Sequence, residues 1–132
     1  MGHSNGTSPR RWCVAILSAR ETADTLASTL AAAIGAVGAH DARIDVVVNG
    51  NPKVAEALAA RLGGERRAGD VGVRIWSLAL RDKAHAWNTY VHDIWPGGAS
   101  TFFMDGCITV SAASLAAMQA RFDASGDALA VA

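Results

Sequence analysis

The sequence has little cysteine and no excess of charge of either sign. Its 132 residues include two cysteines, Cys13 and Cys107, which lie in separate apolar segments. A disulfide framework is therefore not expected, and reduced thiols in a cytoplasmic protein are the default. The 12 basic and 12 acidic side chains give a formal net charge of zero. The chain thus has no general attraction to nucleic acid or to an anionic membrane, and we predict no nucleic-acid partner.

The sequence also lacks a long apolar run and a targeting signal. Its longest apolar stretch, around residues 30–39, is interrupted by Gly35 and Gly38. A membrane-spanning helix needs about 20 residues, so we expect no transmembrane segment. No basic and then apolar leader opens the chain. Residues 1–11 begin with a stretch rich in Gly, Ser, Asn and Thr, which predicts a flexible tail before a single domain at residues 12–132.

Three common motifs of nucleotide-binding and hydrolytic enzymes are absent. The sequence has no G-x-x-x-x-G-K-[ST] phosphate loop, no G-x-G-x-x-G after its first apolar run, and no G-x-S-x-G turn. These absences argue against a P-loop NTPase, a nicotinamide or flavin Rossmann domain, and an α/β-hydrolase. His85 and His92 lie on one predicted helix about 10 Å apart along its axis, which is too far to share a metal ion.

What the sequence does contain is an alternation of short apolar segments with helical patterns. Strand-like runs lie at residues 12–17, 44–48, 71–76 and 101–104, and the third alternates in polarity, which predicts a place nearer the sheet edge. Apolar residues recur at helical spacing between these runs, and a last helix, with Ser111 as its predicted N-cap, follows the fourth. We therefore predict an α/β fold, a Rossmann-like three-layer αβα sandwich with a mostly parallel sheet.

Asp105 is the first candidate for chemistry. It directly follows the apolar run at residues 102–104. A carboxylate at the mouth of a buried strand is costly unless it meets a cation, a hydrogen-bond donor or water. Ligands of open α/β sheets gather at the carboxyl ends of the strands. Asp105 is therefore the first residue to test for a ligand contact.

Polar residues follow predicted strands or open a helix in four segments of the sequence. The segments are Ser18-Ala19-Arg20-Glu21-Thr22, Val46-Val47-Val48-Asn49-Gly50-Asn51, Lys83-Ala84-His85-Ala86-Trp87-Asn88 and Met104-Asp105-Gly106-Cys107. In this order they resemble the nucleotide-binding half of a family-2 glycosyltransferase of the GT-A fold. That family has a first turn of roughly P-x-N-E, a second strand ending in acids, a G-K-x-x-A-x-N segment and a D-x-D motif. The resemblance covers about residues 12–122.

The resemblance implies a glycosyltransferase that moves a sugar from a nucleotide-sugar donor to an unknown acceptor. The nucleotide-binding residues that it implies are Ser18, Ala19, Glu21, Asn49, Lys83, Asn88 and Asp105. Glu21 corresponds to the glutamate that helps to fix the nucleotide, and Asn49 stands where the family usually has an aspartate near the base and ribose. Lys83 and Asn88 correspond to the helix beside the nucleotide and sugar. The family's catalytic base belongs to an acceptor half that we expect to be short or missing, so no residue is assigned to it.

Asp105 corresponds to the first acid of the D-x-D motif, near the ribose and the metal, whereas Cys107 replaces the second acid. In the family that second acid is commonly the direct ligand of the Mg²⁺ or Mn²⁺ that bridges the diphosphate. Hard cations prefer oxygen, and a thiol is a poor substitute. Either Asp105 and the substrate phosphates hold the metal, or metal use has been lost, and Lys83, Arg81 or Arg20 supplies part of the compensating charge. We expect Cys107 itself to pack as a small buried thiol.

Other interpretations remain open. Glu21 is as well explained by a cap of the first helix, and Lys83 by a solvated surface position. A second hypothesis for the whole chain is a non-catalytic α/β binding or assembly module, with Trp76, Trp87 and Trp95 on an apolar surface for a partner or a second copy in a homo-oligomer. A third is a nucleotidyltransferase, although the first turn lacks the glycines that such enzymes usually carry there.

Overall fold

Strands and helices alternate along the chain. The computed structural model describes residues 11–64, 72–97 and 100–125. Its elements are β1 (Trp12–Ser18), α1 (Ala23–Val37), β2 (Ala42–Asn49), α2 (Pro52–Gly64), β3 (Gly72–Leu78), α3 (Lys83–Thr89) with a π-helical turn (Tyr90–Ile94), β4 (Ser100–Asp105) and α4 (Ser114–Ala124). The predicted flexible tail lies outside the described residues except for Arg11.

The four strands form one parallel sheet in the order β3-β2-β1-β4. Every residue of β1 is buried, as its continuous apolar run predicts for a strand with neighbours on both sides. β3 lies at the edge of the described sheet and alternates between exposed and half-buried residues, which confirms its predicted place. The predicted α/β, Rossmann-like architecture is therefore confirmed.

Helices cover both faces of this sheet. On one face, α1, α2 and α4 pack against side chains that include Val14 and Ile16 of β1. On the other face, the α3 segment packs through Tyr90 and Ile94 against the intervening β1 residues. Successive strand side chains point to opposite faces, so one apolar run supplies both cores. No helix in the described ranges has the length and apolar character needed to cross a membrane.

Arg43 and Asp45 form a buried ion pair on β2, and Arg43 also bonds to the α3 segment. The Asp45 side chain has no exposed surface, and it accepts hydrogen bonds from Arg43 Nε at 2.9 Å and from Trp76 Nε1 at 2.8 Å. Arg43 Nη2 also donates to the backbone carbonyl of Ile94 at 3.0 Å. A buried carboxylate costs several kcal/mol unless it is paired and hydrogen-bonded. Here both requirements are met. The bond from Arg43 to the Ile94 carbonyl also attaches the end of the π-helical turn to β2.

Two local predictions are wrong. Ser111 does not cap the last helix, because α4 begins at Ser114 and the two residues instead form a turn, in which the Ser111 amide donates to Ser114 Oγ at 3.1 Å. Cys107 is exposed rather than buried, because β4 ends at Asp105 and the chain turns away from the sheet. Cys13, in the middle of the sheet, is buried.

Replacing Asp45 with alanine is expected to lower the free energy of unfolding by about 3 kcal/mol or more, because it leaves Arg43 and the Trp76 indole without their partner. Denaturant unfolding followed by tryptophan fluorescence measures this. The matched control is Asp41→Ala, which removes an exposed ion pair with Arg11 at 3.7 Å. It should cost less than about 1 kcal/mol. Equal losses in the two variants would contradict a structural role for the buried pair.

Candidate functional site

The strand order reverses at β1, and this determines where a ligand-binding crevice lies. β2 and β3 are added on one side of β1, and β4 lies on the other side. The connection through α1 covers one face of the sheet, whereas the connection through α3 covers the opposite face. In open α/β sheets the crevice at the carboxyl ends beside such a reversal is the usual ligand site.

A cavity of about 240 Å³ lies at this edge of the sheet. Its lining residues are Leu17, Ser18, Ala19, Arg20, Glu21, Asn49, Lys83, Asp105 and Cys107. All the predicted nucleotide-binding residues except Asn88, which is exposed on α3, therefore line one cavity. The predicted nucleotide-binding residues did not include Leu17, Arg20 or Cys107, although the last two lie within the quoted segments and Arg20 was considered as a source of charge. Arg20 precedes Glu21 directly and Cys107 follows Asp105 by two residues, and these positions were the available signal.

Glu21 holds the turn between β1 and α1. Its Oε1 accepts a hydrogen bond from Ser18 Oγ at 2.8 Å and one from the Ala19 amide at 3.3 Å. The cap of α1 is the next residue, Thr22, which accepts from the Thr25 amide at 3.2 Å. The capping interpretation of Glu21 is therefore wrong, since its carboxylate shapes the turn that forms one wall of the cavity.

Gly106 brings the turn after β4 against the turn after β1. Its amide donates to the Leu17 carbonyl at 3.0 Å, and its own carbonyl accepts from the buried Thr29 hydroxyl at 2.7 Å. A Cβ at this position would lie 2.8 Å from Glu21 Oε1 and 2.9 Å from Leu26 Cδ2. A larger residue would force these side chains to shift, so the glycine favours this close approach, which places Asp105 and Cys107 beside the first turn.

Asn49 is a buried amide with one atom unpaired. The residue is 1% exposed at the end of β2, and its Nδ2 donates to the Asp82 carbonyl at 3.4 Å. Its Oδ1 has no hydrogen-bond partner among the described residues. A buried unpaired acceptor costs about 1–3 kcal/mol. Asn49 also lines the cavity, so this buried amide forms part of its wall.

Lys83 and Asp105 meet across the cavity from α3 and β4. Lys83 Nζ lies 2.8 Å from Asp105 Oδ1, and the two side chains are 62% and 55% exposed. The Asp82 side chain caps α3 by accepting from the Ala84 amide at 3.0 Å, and Lys83 is the first residue of that helix. The hydrogen bond and the charge of Asp105 raise the pKa of the Lys83 ammonium. Lys83 therefore presents a positive charge at neutral pH.

The polar side chains around the cavity do not match a protein site for Mg²⁺ or Mn²⁺. No group of three or more His, Cys, Asp or Glu side chains in the described part of the chain is arranged to hold a metal. Asp105 is paired with an ammonium, Glu21 is bound within its own turn, and Cys107 offers sulfur. Hard divalent cations require several oxygen ligands. A metal bound to Asp105 would have to displace Lys83 or lie directly beside its ammonium.

Gly106→Ala is expected to lower the free energy of unfolding by about 1–3 kcal/mol, because the added methyl group overpacks the contact with Glu21 and Leu26. The matched control is Gly35→Ala. A Cβ at Gly35, inside α1, meets no atom within 4 Å. This second variant should raise the stability by about 0.5–1 kcal/mol, because alanine is the better helix former. Thermal and denaturant unfolding give both values, and a neutral Gly106→Ala would show that the close approach is unimportant.

Comparison with known protein families, curated proteins and solved structures finds no match to this chain. The interpretation of the cavity therefore depends on its own geometry and chemistry. The structure has a parallel sheet with polar and charged side chains around a cavity at the carboxyl ends of its strands.

Proposed function

We propose that this chain binds a nucleoside-diphosphate sugar in the cavity described above, as the donor-binding part of a glycosyltransferase similar to family 2 of the GT-A fold. One observation carries the proposal. Residues from four segments that are distant in the sequence, chosen for their resemblance to that family, line a single cavity. The cavity also lies where α/β sheets of this strand order bind ligands.

The lining suits the parts of such a donor. The Asn49 oxygen can accept a hydrogen bond from a ribose hydroxyl or from a base N–H, and this would satisfy its buried acceptor. Lys83 and Arg20 both line the cavity, and we propose that their positive charges bind the diphosphate. Transfer of the sugar loads negative charge onto the leaving diphosphate, which nearby cations stabilise in a partly dry cleft.

A second candidate function, a non-catalytic binding or assembly module, is favoured by exposed aromatic side chains near α3. Trp87 stacks on Phe103 with ring centroids 4.2 Å apart, and both rings are exposed, as is Trp95. Trp76 does not belong to this surface, because it is half-buried and its indole donates to Asp45. Sedimentation separates the candidates, since an obligate dimer that is indifferent to nucleotides supports the module.

Cys107 provides a direct probe of nucleotide binding. It is exposed and lines the cavity, whereas Cys13 is buried, and burial raises the pKa of the Cys13 thiol. A disulfide reagent such as Ellman's reagent should therefore react rapidly with Cys107 and slowly with Cys13. A nucleoside diphosphate at about ten times its Kd should slow the rapid phase about tenfold, which absorbance at the thiolate product's wavelength measures.

The control for this experiment is Cys107→Ser, which should abolish the rapid phase and leave the slow one. The panel comprises UDP, GDP, ADP, CDP and dTDP, each with and without Mn²⁺. Unchanged Cys107 reactivity with every nucleotide at millimolar concentration would refute the proposed function.

Asn49→Leu is expected to weaken nucleotide binding about tenfold, because it removes a hydrogen-bonding group from the cavity wall. The same change should leave the free energy of unfolding unchanged or raise it, since a buried unpaired oxygen is lost. Calorimetric titration and denaturant unfolding measure the two effects. The control is Asn51→Leu, whose backbone carbonyl, rather than its side chain, accepts the first amides of α2. Loss of stability without loss of binding in Asn49→Leu would indicate a purely structural residue.

A further inference from the structure

Three cations were possible sources of charge for the ligand, and their contacts distinguish them. Arg81 Nη2 donates to the Gly50 carbonyl at 3.2 Å, and Arg81 is not a lining residue of the cavity. Arg20 and Lys83 both line the cavity. Of these two, Lys83 is the one in contact with the carboxylate at which the resemblance expects a metal ion.

The ammonium group therefore occupies the place that a divalent cation would need. Asp105 Oδ1 accepts a hydrogen bond from Lys83 Nζ at 2.8 Å. A cation bound to Asp105 would have to displace this ammonium or lie directly beside it, with two positive charges in contact. Cys107 does not offset that cost, because hard cations bind oxygen in preference to a thiol.

Lys83 retains the capacity to bind a phosphate while it contacts Asp105. An ammonium has three N–H donors, and the bond to Asp105 uses one. The hydrogen bond to Asp105 and the charge of that carboxylate raise the pKa of Lys83 and so favour its protonated form. The two N–H groups that remain can bind phosphate oxygens without breaking the bond to Asp105.

We propose that Lys83, held in place by Asp105, binds the diphosphate of the ligand instead of a protein-bound divalent cation, so that nucleotide binding requires neither Mg²⁺ nor Mn²⁺. This inference rests on the proposed function, because it assumes a diphosphate in the cavity. Asp105 is then a positioning residue for Lys83 rather than a metal ligand.

The experiment is a calorimetric titration with the same five nucleoside diphosphates, once in EDTA and once with MnCl2. The expected result is that the dissociation constant of each nucleotide that binds agrees within about threefold between the two conditions. Lys83→Met should weaken binding about tenfold or more in both conditions, and Lys83→Arg should restore part of the loss. Circular dichroism checks the fold of each variant, and Lys83 is exposed, so the fold should persist.

The chain has one other lysine, Lys53, and this provides a matched control. Lys53 is exposed in the first turn of α2 and does not line the cavity. Lys53→Met should bind as the unmodified chain does. Asp105→Asn should weaken binding by the same factor in EDTA and in MnCl2 if Asp105 positions Lys83. A loss confined to the MnCl2 series would identify Asp105 as a metal ligand and overturn the inference.

The possible failures are distinguishable. Binding that occurs only with Mn²⁺ overturns the metal-independent mode, and binding that survives Lys83→Met unchanged overturns the role of Lys83. Either result leaves the nucleotide-binding function standing. Absence of binding for all five nucleotides in both conditions overturns the proposed function and this inference together.

Discussion

The pairing of β1 with β2 on one side and β4 on the other is the interaction on which the candidate site depends. Its register aligns Leu17 with Val47 and with Asp105. Side chains alternate between faces along a strand, so Asn49 and Asp105 both belong to the face that α3 covers. A shift of one residue in either pairing would turn the affected side chain toward the opposite face. The contact between Asp105 and Lys83 of α3 therefore requires this register.

Two polar side chains on β2 show how the same strand serves structure and site. Asp45 and Asn49 are both almost completely buried, and both lie on the α3 face of the sheet. Asp45 has a cationic partner and an indole donor, so its burial is fully compensated. Asn49, at the carboxyl end, keeps an unpaired oxygen in the cavity lining. The contrast separates a polar group whose partners hold the layers together from one that keeps an unpaired acceptor beside the cavity.

Cys107 and the Lys83–Asp105 pair together determine which cations the cavity can accept. A carboxylate in place of the thiol would add a second oxygen ligand and favour a divalent cation over the lysine. With sulfur at that position, the cavity lining lacks this second oxygen ligand, and Asp105 is paired with the Lys83 ammonium. Gly106 lies between Asp105 and Cys107 and packs directly against Glu21, so the turns after β1 and β4 lie close together.

The order of strands and helices and the edge position of β3 followed from the sequence, because apolar periodicity records local burial. Most of the cavity lining was predicted from the resemblance of four segments to a known family, and three of those segments end strands that share one edge of the sheet. The exposure of Cys107 did not, since an apolar run does not mark where a strand leaves the sheet. Nor did the orphaned oxygen of Asn49 or the contact between Lys83 and Asp105. Those depend on the strand register and on the face that α3 covers, which only the packed tertiary structure decides.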